Sequence, residues 1–317
     1  MIFQNIISKI KESGKIAILS HIMPDGDSIG SSLALYNALK KYGKDVRFIL
    51  DDEIPTIYGF LEGSDRVREP GQFEHFDTVL VLDCGDVERL GKSSLYLNGN
   101  YVINIDHHIS NKEFGSLNLV DTGSAASGEI IYDLIKSLDI GMDRGICECL
   151  YTAIVTDTGQ FQYSNTTSRT HQIVGDLIDS GVNVSRMFER IYQNNSKEKI
   201  VLMKTALSTL EFFHNDATSC ISLSLEQMKE ANALDEDTEG IINLARDIGC
   251  VEVAMFLKEI EPGLIKVGLR SKKKANVAAV ALRFGGGGHV HAAGCTVHGT
   301  IAEVKEKMLD AVAEELR

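Results

Sequence analysis

Apolar and polar positions along the chain alternate between short, wholly apolar runs and longer segments that are apolar on one face only. Ile2, Ile6, Ile7 and Ile10 fall on one face of a helix that ends at Glu12. Lys15 to Ser20 then reads as a buried strand, about Ile29 to Tyr42 as a helix stopped by Gly43, and Asp45 to Leu50 as a second strand. Ile54 to Phe76 is loop-rich, with a short helix near Ile57 to Leu61. Thr78 to Asp83 and Tyr101 to Asp106 are apolar on both faces, and each ends in a carboxylate. Runs of that kind belong to parallel strands covered by helices. The first half is therefore expected to be α/β, a parallel sheet with helices on both faces and three strands ending on one edge. Further helices are expected over Ala126 to Leu138, Asp143 to Ile154, Thr167 to Ser180 and Val184 to Tyr192.

A polar segment from Gln193 opens a connecting helix that runs to about Phe212. Beyond it the pattern predicts a smaller α+β unit. Its strands are expected at Ser219 to Leu223, Val251 to Lys258, Leu264 to Arg270 and Cys295 to His298. Its helices are expected at Leu225 to Ala231, Asp237 to Ile248, Ala275 to Phe284 and Ile301 to Leu316. The expected organisation is a domain over residues 1–195, a connecting helix over 196–214 and a second domain over 215–317.

Candidate chemistry gathers where the apolar runs end. His21-Ile22-Met23-Pro24-Asp25-Gly26-Asp27-Ser28-Ile29-Gly30 follows the first strand, at the edge where open α/β sheets bind ligands. Pro24 and Gly26 turn the backbone, so His21, Asp25 and Asp27 can face a common point. A hard or borderline divalent cation needs such a group. The plainer alternative is a capped turn, with Asp27 or Ser28 as N-cap of the next helix. Asp83, His107, His108 and Asp157, the last in Thr156-Asp157-Thr158-Gly159, belong to segments expected on the same side. Taken singly, each is a turn former or a satisfied polar group. Gathered, the carboxylates would repel one another. Divalent metal resolves that repulsion, and the number of ligands suggests two ions about 3.5–4 Å apart, activating a water and clamping phosphate oxygens.

In the second half, Gly285-Gly286-Gly287-Gly288-His289 would let backbone N–H groups approach an anion, with a flexible hinge as the alternative. Arg270, at a strand end, could clamp a phosphate through two parallel bonds. Lys272 to Lys274 read as a solvated face, and His291 is given no role.

Composition narrows the field. With 317 residues, 44% of them hydrophobic, the chain can fill two cores. A net charge of -13 disfavours coating of long nucleic acid, although a local basic patch could hold a short anionic substrate. The six cysteines are scattered, which suits free thiols in a reducing compartment rather than a disulfide framework or a zinc site. Met1 to Glu12 lacks the apolar core of a secretory signal, and no apolar run approaches the ~18 residues of a membrane helix. The expectation is a cytoplasmic protein with no membrane partner.

The opening motif, the Asp83 strand end, Asp106-His107-His108 and Thr156-Asp157-Thr158-Gly159 resemble the four motifs of the DHH phosphoesterases. Gly285 to His289, followed by Ala292-Ala293-Gly294, resembles the hallmark of that family's DHH-associated C-terminal domain. The resemblance covers nearly the whole chain. In size it is most similar to members that degrade nanoRNA and dephosphorylate 3′-phosphoadenosine 5′-phosphate (pAp), without the added nucleic-acid-binding domain of larger single-strand exonucleases.

The resemblance implies hydrolysis of short oligoribonucleotides to 5′-mononucleotides, and of pAp to AMP, by two-metal activation of a water. It implies one manganese on His21, Asp25 and Asp83, and a second on Asp27, Asp83, His107 and Asp157, with Asp83 bridging. Asp106 would orient a neighbouring imidazole, and His108 would face the substrate, so that His108, Asp83 and His107 form the catalytic set. Arg270, Ser271, Gly286, Gly287, Gly288 and His289 would grip the terminal nucleotide. Imidazole with several carboxylates suits manganese better than an all-oxygen magnesium site, with magnesium the alternative. The partner is then short RNA or a nucleotide, not long duplex, and the oligomeric state stays open, a homodimer included. Other readings are a pyrophosphatase or exopolyphosphatase, a phosphodiesterase for linear di-adenylate from cyclic dinucleotide turnover, and a non-enzymatic nucleotide sensor. The glycine tetrad argues against the first, and the full ligand set against the last.

Overall fold

The computed structural model describes residues 2–316; Met1 and Arg317, the ends of the two expected domains, lie outside them. The chain divides into two compact units that meet at Asn194 and Asn195.

The first unit runs α1 (Ile2–Glu12), β1 (Lys15–Leu19), α2 (Gly26–Lys41), β2 (Asp45–Ile49), β3 (Thr78–Leu82), β4 (Val102–Asp106) and β5 (Leu117–Val120). It continues with α3 (Ser127–Ser137), α4 (Arg144–Asp157), α5 (Ser168–Asp179) and α6 (Val184–Tyr192). The five strands form one parallel sheet in the order β2-β1-β3-β4-β5. Alternation along the strands sends Ile16, Ile18, Leu80, Leu82, Ile103 and Ile105 to a core shared with the α-helices. Ala17, Leu19, Val79 and Val81 face the other way, against Leu90 and Tyr96 of a 3₁₀ segment, Val87–Leu97. Cover on that second face thus comes from the 3₁₀ segment, where Gly91, at φ 55°, interrupts the helical turns. The strand order reverses between β1 and β3, which opens a crevice beyond their carboxyl ends.

Packing of α2 on α4 fixes the rest of that crevice. A Cβ on Gly26 would stand 2.3 Å from Thr156 Oγ1, and one on Gly30 would stand 2.5 Å from the Cys149 carbonyl oxygen. The two glycines let the antiparallel helices touch backbone to backbone. The start of α2 therefore lies beside the end of α4, and Asp27 meets Asp157.

The second unit comprises α7 (Lys197–Ser208), β6 (Glu211–Phe213), β7 (Thr218–Leu223), α8 (Leu225–Glu230), α9 (Ile241–Arg246), β8 (Val253–Glu261), β9 (Leu264–Ser271), α10 (Val277–Leu282), β10 (Gly287–His289), β11 (Ala292–His298) and α11 (Ile301–Glu315). Its mixed sheet has the order β10-β11-β9-β8-β7-β6, with only the β7–β8 pair parallel. One face packs on α10 and α11 and the other on α7 and α9. Leu202 and Ala206 of α7, expected in a connecting helix, are buried in this unit's core. Among the described residues no helix is long and apolar enough to cross a membrane.

Candidate metal centre

Eight side chains singled out in the first half of the sequence meet beyond the carboxyl ends of β1, β3 and β4. Each is placed by an identifiable local device. Ser20 closes β1: its hydroxyl donates to the Leu82 carbonyl at 2.9 Å and accepts from Ser28 Oγ at 2.7 Å, tying β1 to α2 and β3. His21 follows. The N-cap of α2 is Asp25, not Asp27 or Ser28: Asp25 Oδ1 accepts the Ser28 N–H at 3.0 Å. Asp83 leaves β3 at φ 54°, a left-handed conformation that aspartate tolerates better than most residues. That turn directs its carboxylate into the crevice.

Asp83 lies among three imidazoles. Its Oδ2 is 3.6 Å from His21 Nε2, and its Oδ1 is 3.6 Å from both His107 Nε2 and His108 Nδ1. His21 Nε2 is also 3.9 Å from Asp25 Oδ1. His107 Nε2 is 3.7 Å from Asp27 Oδ2 and 3.6 Å from Asp157 Oδ2. His107 Nδ1 points to the Ser124 carbonyl oxygen at 3.3 Å, which leaves Nε2 as the ring nitrogen that faces the acids.

Residues absent from the motifs complete the centre. Asp27 accepts the N–H groups of Ser127 at 2.6 Å and Gly128 at 2.9 Å, at the start of α3. Ala126, the N-cap of α3, has no side-chain cap bond of its own, so Asp27 serves that helix end from 100 residues away. Ser127 Oγ donates to Asp83 Oδ1 at 3.0 Å. Asp106 accepts from His108 Nδ1 at 2.7 Å and the His107 N–H at 2.8 Å through Oδ1, and from Asn111 Nδ2 at 2.6 Å through Oδ2. Arg89 Nη2 lies 3.0 Å from His21 Nδ1. No local pattern announces Ser127, Asn111 or Arg89, because each becomes relevant only through a long-range contact.

Burial and crowding set the protonation of the group. Burial pushes Asp157 up to about 7. Burial, then the charges of Asp83 and Asp157, holds Asp27 well above the usual carboxylate range. Asp83 departs the other way: burial would raise it, but the His21 contact and the charges of His108 and His107 lower it. Burial would likewise lower His108, yet its bond to Asp106 and the charge of Asp83 take it up to about 9. Acids that retain protons because they are buried and crowded suit a cation that replaces those protons. Three overlapping groups have donor atoms within 4.8 Å of one another: His21, Asp25 and Asp83; Asp27, His107 and Asp157; Asp83, His107 and His108. Mixed imidazole and carboxylate donors of this kind fit divalent cations.

The residues expected to bind substrate lie in the second unit, where β9, β10 and β11 run side by side. Arg270 pairs with Ala292, and Ala292 with His289, so these three share one face of the sheet. Ser271 does not belong with them. It is buried on the opposite face, its hydroxyl donating to the Ala275 carbonyl at 2.7 Å and lying 2.9 Å from His291 Nδ1. The glycines also divide. A Cβ on Gly286 would stand 2.1 Å from the Gly294 carbonyl oxygen, and one on Gly288, at φ 143°, 2.4 Å from that of Ala292. Both are required by the close approach of β11. Gly287 is open, with nothing within 4 Å, as is Gly285, which sits at φ 72°.

Fold and site together define a two-unit α/β protein with a carboxylate–imidazole centre at a topological switch point. Residues 15–154 match the DHH family N-terminal domain, and residues 219–317 match the DHHA1 domain. The chain is 35% identical over 305 residues to the bifunctional oligoribonuclease and PAP phosphatase NrnA of Thermus thermophilus, covering 96% of this chain and 90% of that protein. It is 25% identical over 299 residues to the Bacillus subtilis protein of the same name, covering 92% of each. A crystal structure of an exopolyphosphatase-related protein from Bacteroides fragilis superposes with a TM-score of 0.93 at 27% identity, covering 99% of this chain and 96% of that one. The chain belongs to the DHH phosphoesterase family. It is accordingly a hydrolase of a metal-dependent kind, and its carboxylate–imidazole cluster supplies the donors.

Proposed function

We propose that this chain is a manganese-dependent phosphoesterase that cuts RNA fragments a few nucleotides long into 5′-mononucleotides and converts pAp to AMP. The observation that carries the proposal is the position of Asp83, with one oxygen toward His21 and the other toward His107. A carboxylate so placed can serve two cations. His21, Asp25 and Asp83 would hold one, and Asp27, Asp83, His107 and Asp157 the other. Such ions polarise phosphate oxygens and make a water nucleophilic at neutral pH. The chain's own residues fix the geometry. The N–H groups at the start of α3 hold Asp27, the Ser124 carbonyl orients the His107 ring, and Asp106 keeps His108 cationic and turned into the centre. His108 would donate to the phosphate or to the departing oxygen.

The names of the Thermus and Bacillus relatives support this choice of substrates. Arg270, His289 and the open space over Gly287 offer a cation, an imidazole and close approach to the backbone for a terminal nucleotide. The net charge of -13 leaves little basic surface to track a long strand. A reducing compartment suits the free cysteines, five of them buried, and we place the protein in the cytoplasm.

The test is a substrate panel with manganese: a labelled ribodimer, a pentamer, a 24-mer, pAp, linear di-adenylate and pyrophosphate. Turnover of the dimer, pentamer and pAp, with little on the 24-mer or pyrophosphate, is expected. Equal rates on all RNA lengths, or a clear preference for pyrophosphate, would overturn the assignment.

A further inference from the structure

Arg89 sits in the 3₁₀ segment after β3, and the backbone around it is anchored at three points. Its carbonyl accepts the Ile22 N–H at 2.7 Å. Asp86 Oδ1 accepts the Glu88 N–H at 3.2 Å, and Asp51 Oδ2 accepts the Lys92 N–H at 2.8 Å. Leu90, next in sequence, is buried beneath the sheet. The exposed guanidinium therefore emerges at a fixed place, with Nη2 3.0 Å from His21 Nδ1.

That ring nitrogen already has a better use. It lies 2.8 Å from the Ile22 carbonyl oxygen, and it can serve one partner only. With Nδ1–H donating to Ile22, Nε2 keeps its lone pair toward Asp83 and Asp25, the arrangement a metal-holding imidazole requires. A guanidinium has donors and no acceptor, so it then finds nothing to bond on this ring. Arg89 forms no ion pair among the described residues, although Asp25 and Asp86 feel its charge. A donor fork held at the rim of the centre, with no carboxylate of its own, is arranged for an anion that arrives from outside.

We infer that Arg89 binds the phosphate undergoing hydrolysis, as a substrate-contacting residue of the first unit. The inference rests on the phosphoesterase reading above. Guanidinium offers two parallel N–H bonds to two phosphate oxygens, a match that lysine does not reproduce. Because Arg89 belongs to the unit that carries the metal centre, its loss should weigh equally on any substrate with a phosphate there, whatever nucleoside is attached.

The experiment uses the full-length chain with manganese and compares wild type, Arg89→Ala and Arg89→Lys in three readouts. These are kcat/KM on pAp and on a ribodinucleotide, competition by inorganic phosphate, and the thermal shift on adding manganese without substrate. Arg89→Ala should lower kcat/KM on both substrates by about 10²–10³-fold, the usual cost of one lost transition-state donor. It should weaken phosphate inhibition, keep the manganese shift, and recover part of its activity when guanidinium ion is added. Arg89→Lys should stay well below wild type, and it carries the test if the alanine variant folds poorly. Unchanged kcat/KM and phosphate inhibition in both variants would overturn the inference. So would loss of the manganese shift together with activity, since Arg89 would then act only by holding His21. If wild type hydrolyses neither substrate, the phosphoesterase reading alone falls, and calorimetric binding of inorganic phosphate to the three manganese-loaded proteins still decides Arg89, with weaker binding in both variants expected and equal binding in all three overturning the inference.

Discussion

Asp106 Oδ1 lies 2.7 Å from His108 Nδ1, and this contact is what keeps the imidazole charged despite its burial. Its other oxygen accepts from Asn111, so an amide at position 106 would have to aim an N–H at a donor on one side or the other. Asp106→Asn should therefore cost about 1–3 kcal/mol of stability. It should also bring the alkaline limb of kcat/KM down from about 9 by one unit or more, because His108 loses its anionic partner. A pH–rate profile checks this. An unshifted alkaline limb would mean that His108 does not need its proton.

Without metal, the centre should make the protein less stable as pH rises. Burial holds Asp157 at about 7 and Asp27 well above its ordinary value, whereas unfolding returns both to ~3.9. Their folded-state pKa values are the higher ones, so the folded chain retains protons that the unfolded chain has lost. Stability then falls as pH climbs between those limits. His108, raised to about 9 from ~6.5, adds stability that is complete below the lower value and lost as pH passes the upper one. Asp83 and Asp106 have lowered values and would matter only in acid. The melting temperature of chelator-treated protein should decline from about pH 6 to about pH 9, and manganese should raise it more at the alkaline end, where it displaces fewer protons. A flat profile in differential scanning fluorimetry would contradict this electrostatic account.

The α2–α4 contact should tolerate no added methyl at position 30. Gly30→Ala brings its Cβ to 2.5 Å from the Cys149 carbonyl oxygen and 2.7 Å from the Ala153 nitrogen, both backbone atoms. The helices must separate, at a cost of about 1–3 kcal/mol, and Asp27 moves away from Asp157. Lower stability and weaker manganese affinity are expected together, by chemical denaturation and metal titration on the same sample.

The glycine run separates into two kinds of position, and the two variants should behave oppositely. Gly286→Ala clashes with β11 and should destabilise the second unit. Gly287→Ala meets nothing and should fold normally while raising KM for pAp, if the open backbone there receives the nucleotide. Normal KM in Gly287→Ala would remove this strand from substrate binding. Ser271→Ala, by contrast, should act through stability, since its hydroxyl is committed to Ala275 and His291.

Much of the first unit was legible because β1, β3 and β4 are apolar on both faces and end in the groups that do the chemistry. The fifth strand was not: every residue of Leu117–Val120 is only half-buried, so this short edge strand lacks the continuous apolar signal of its neighbours. His21, Asp83 and His107 could be grouped from strand ends and Asp157 from the end of a helix, but Ser127 and Arg89 could not. Their contacts to Asp27 and His21 span 100 and 68 residues and follow no period. In the second unit, motif and packing were confounded. Gly286, Gly288 and Ser271 carry the residue types of a binding loop, yet steric and hydrogen-bond demands of the sheet account for them.

The most direct test of the account is equilibrium manganese binding to the metal-stripped chain, by titration calorimetry alongside direct metal analysis. Two ions per chain are predicted for wild type, with both sites severely weakened in Asp83→Ala, because the two oxygens of that one carboxylate face the two groups of ligands. A single ion in wild type, or two bound with undiminished affinity in Asp83→Ala, would contradict it.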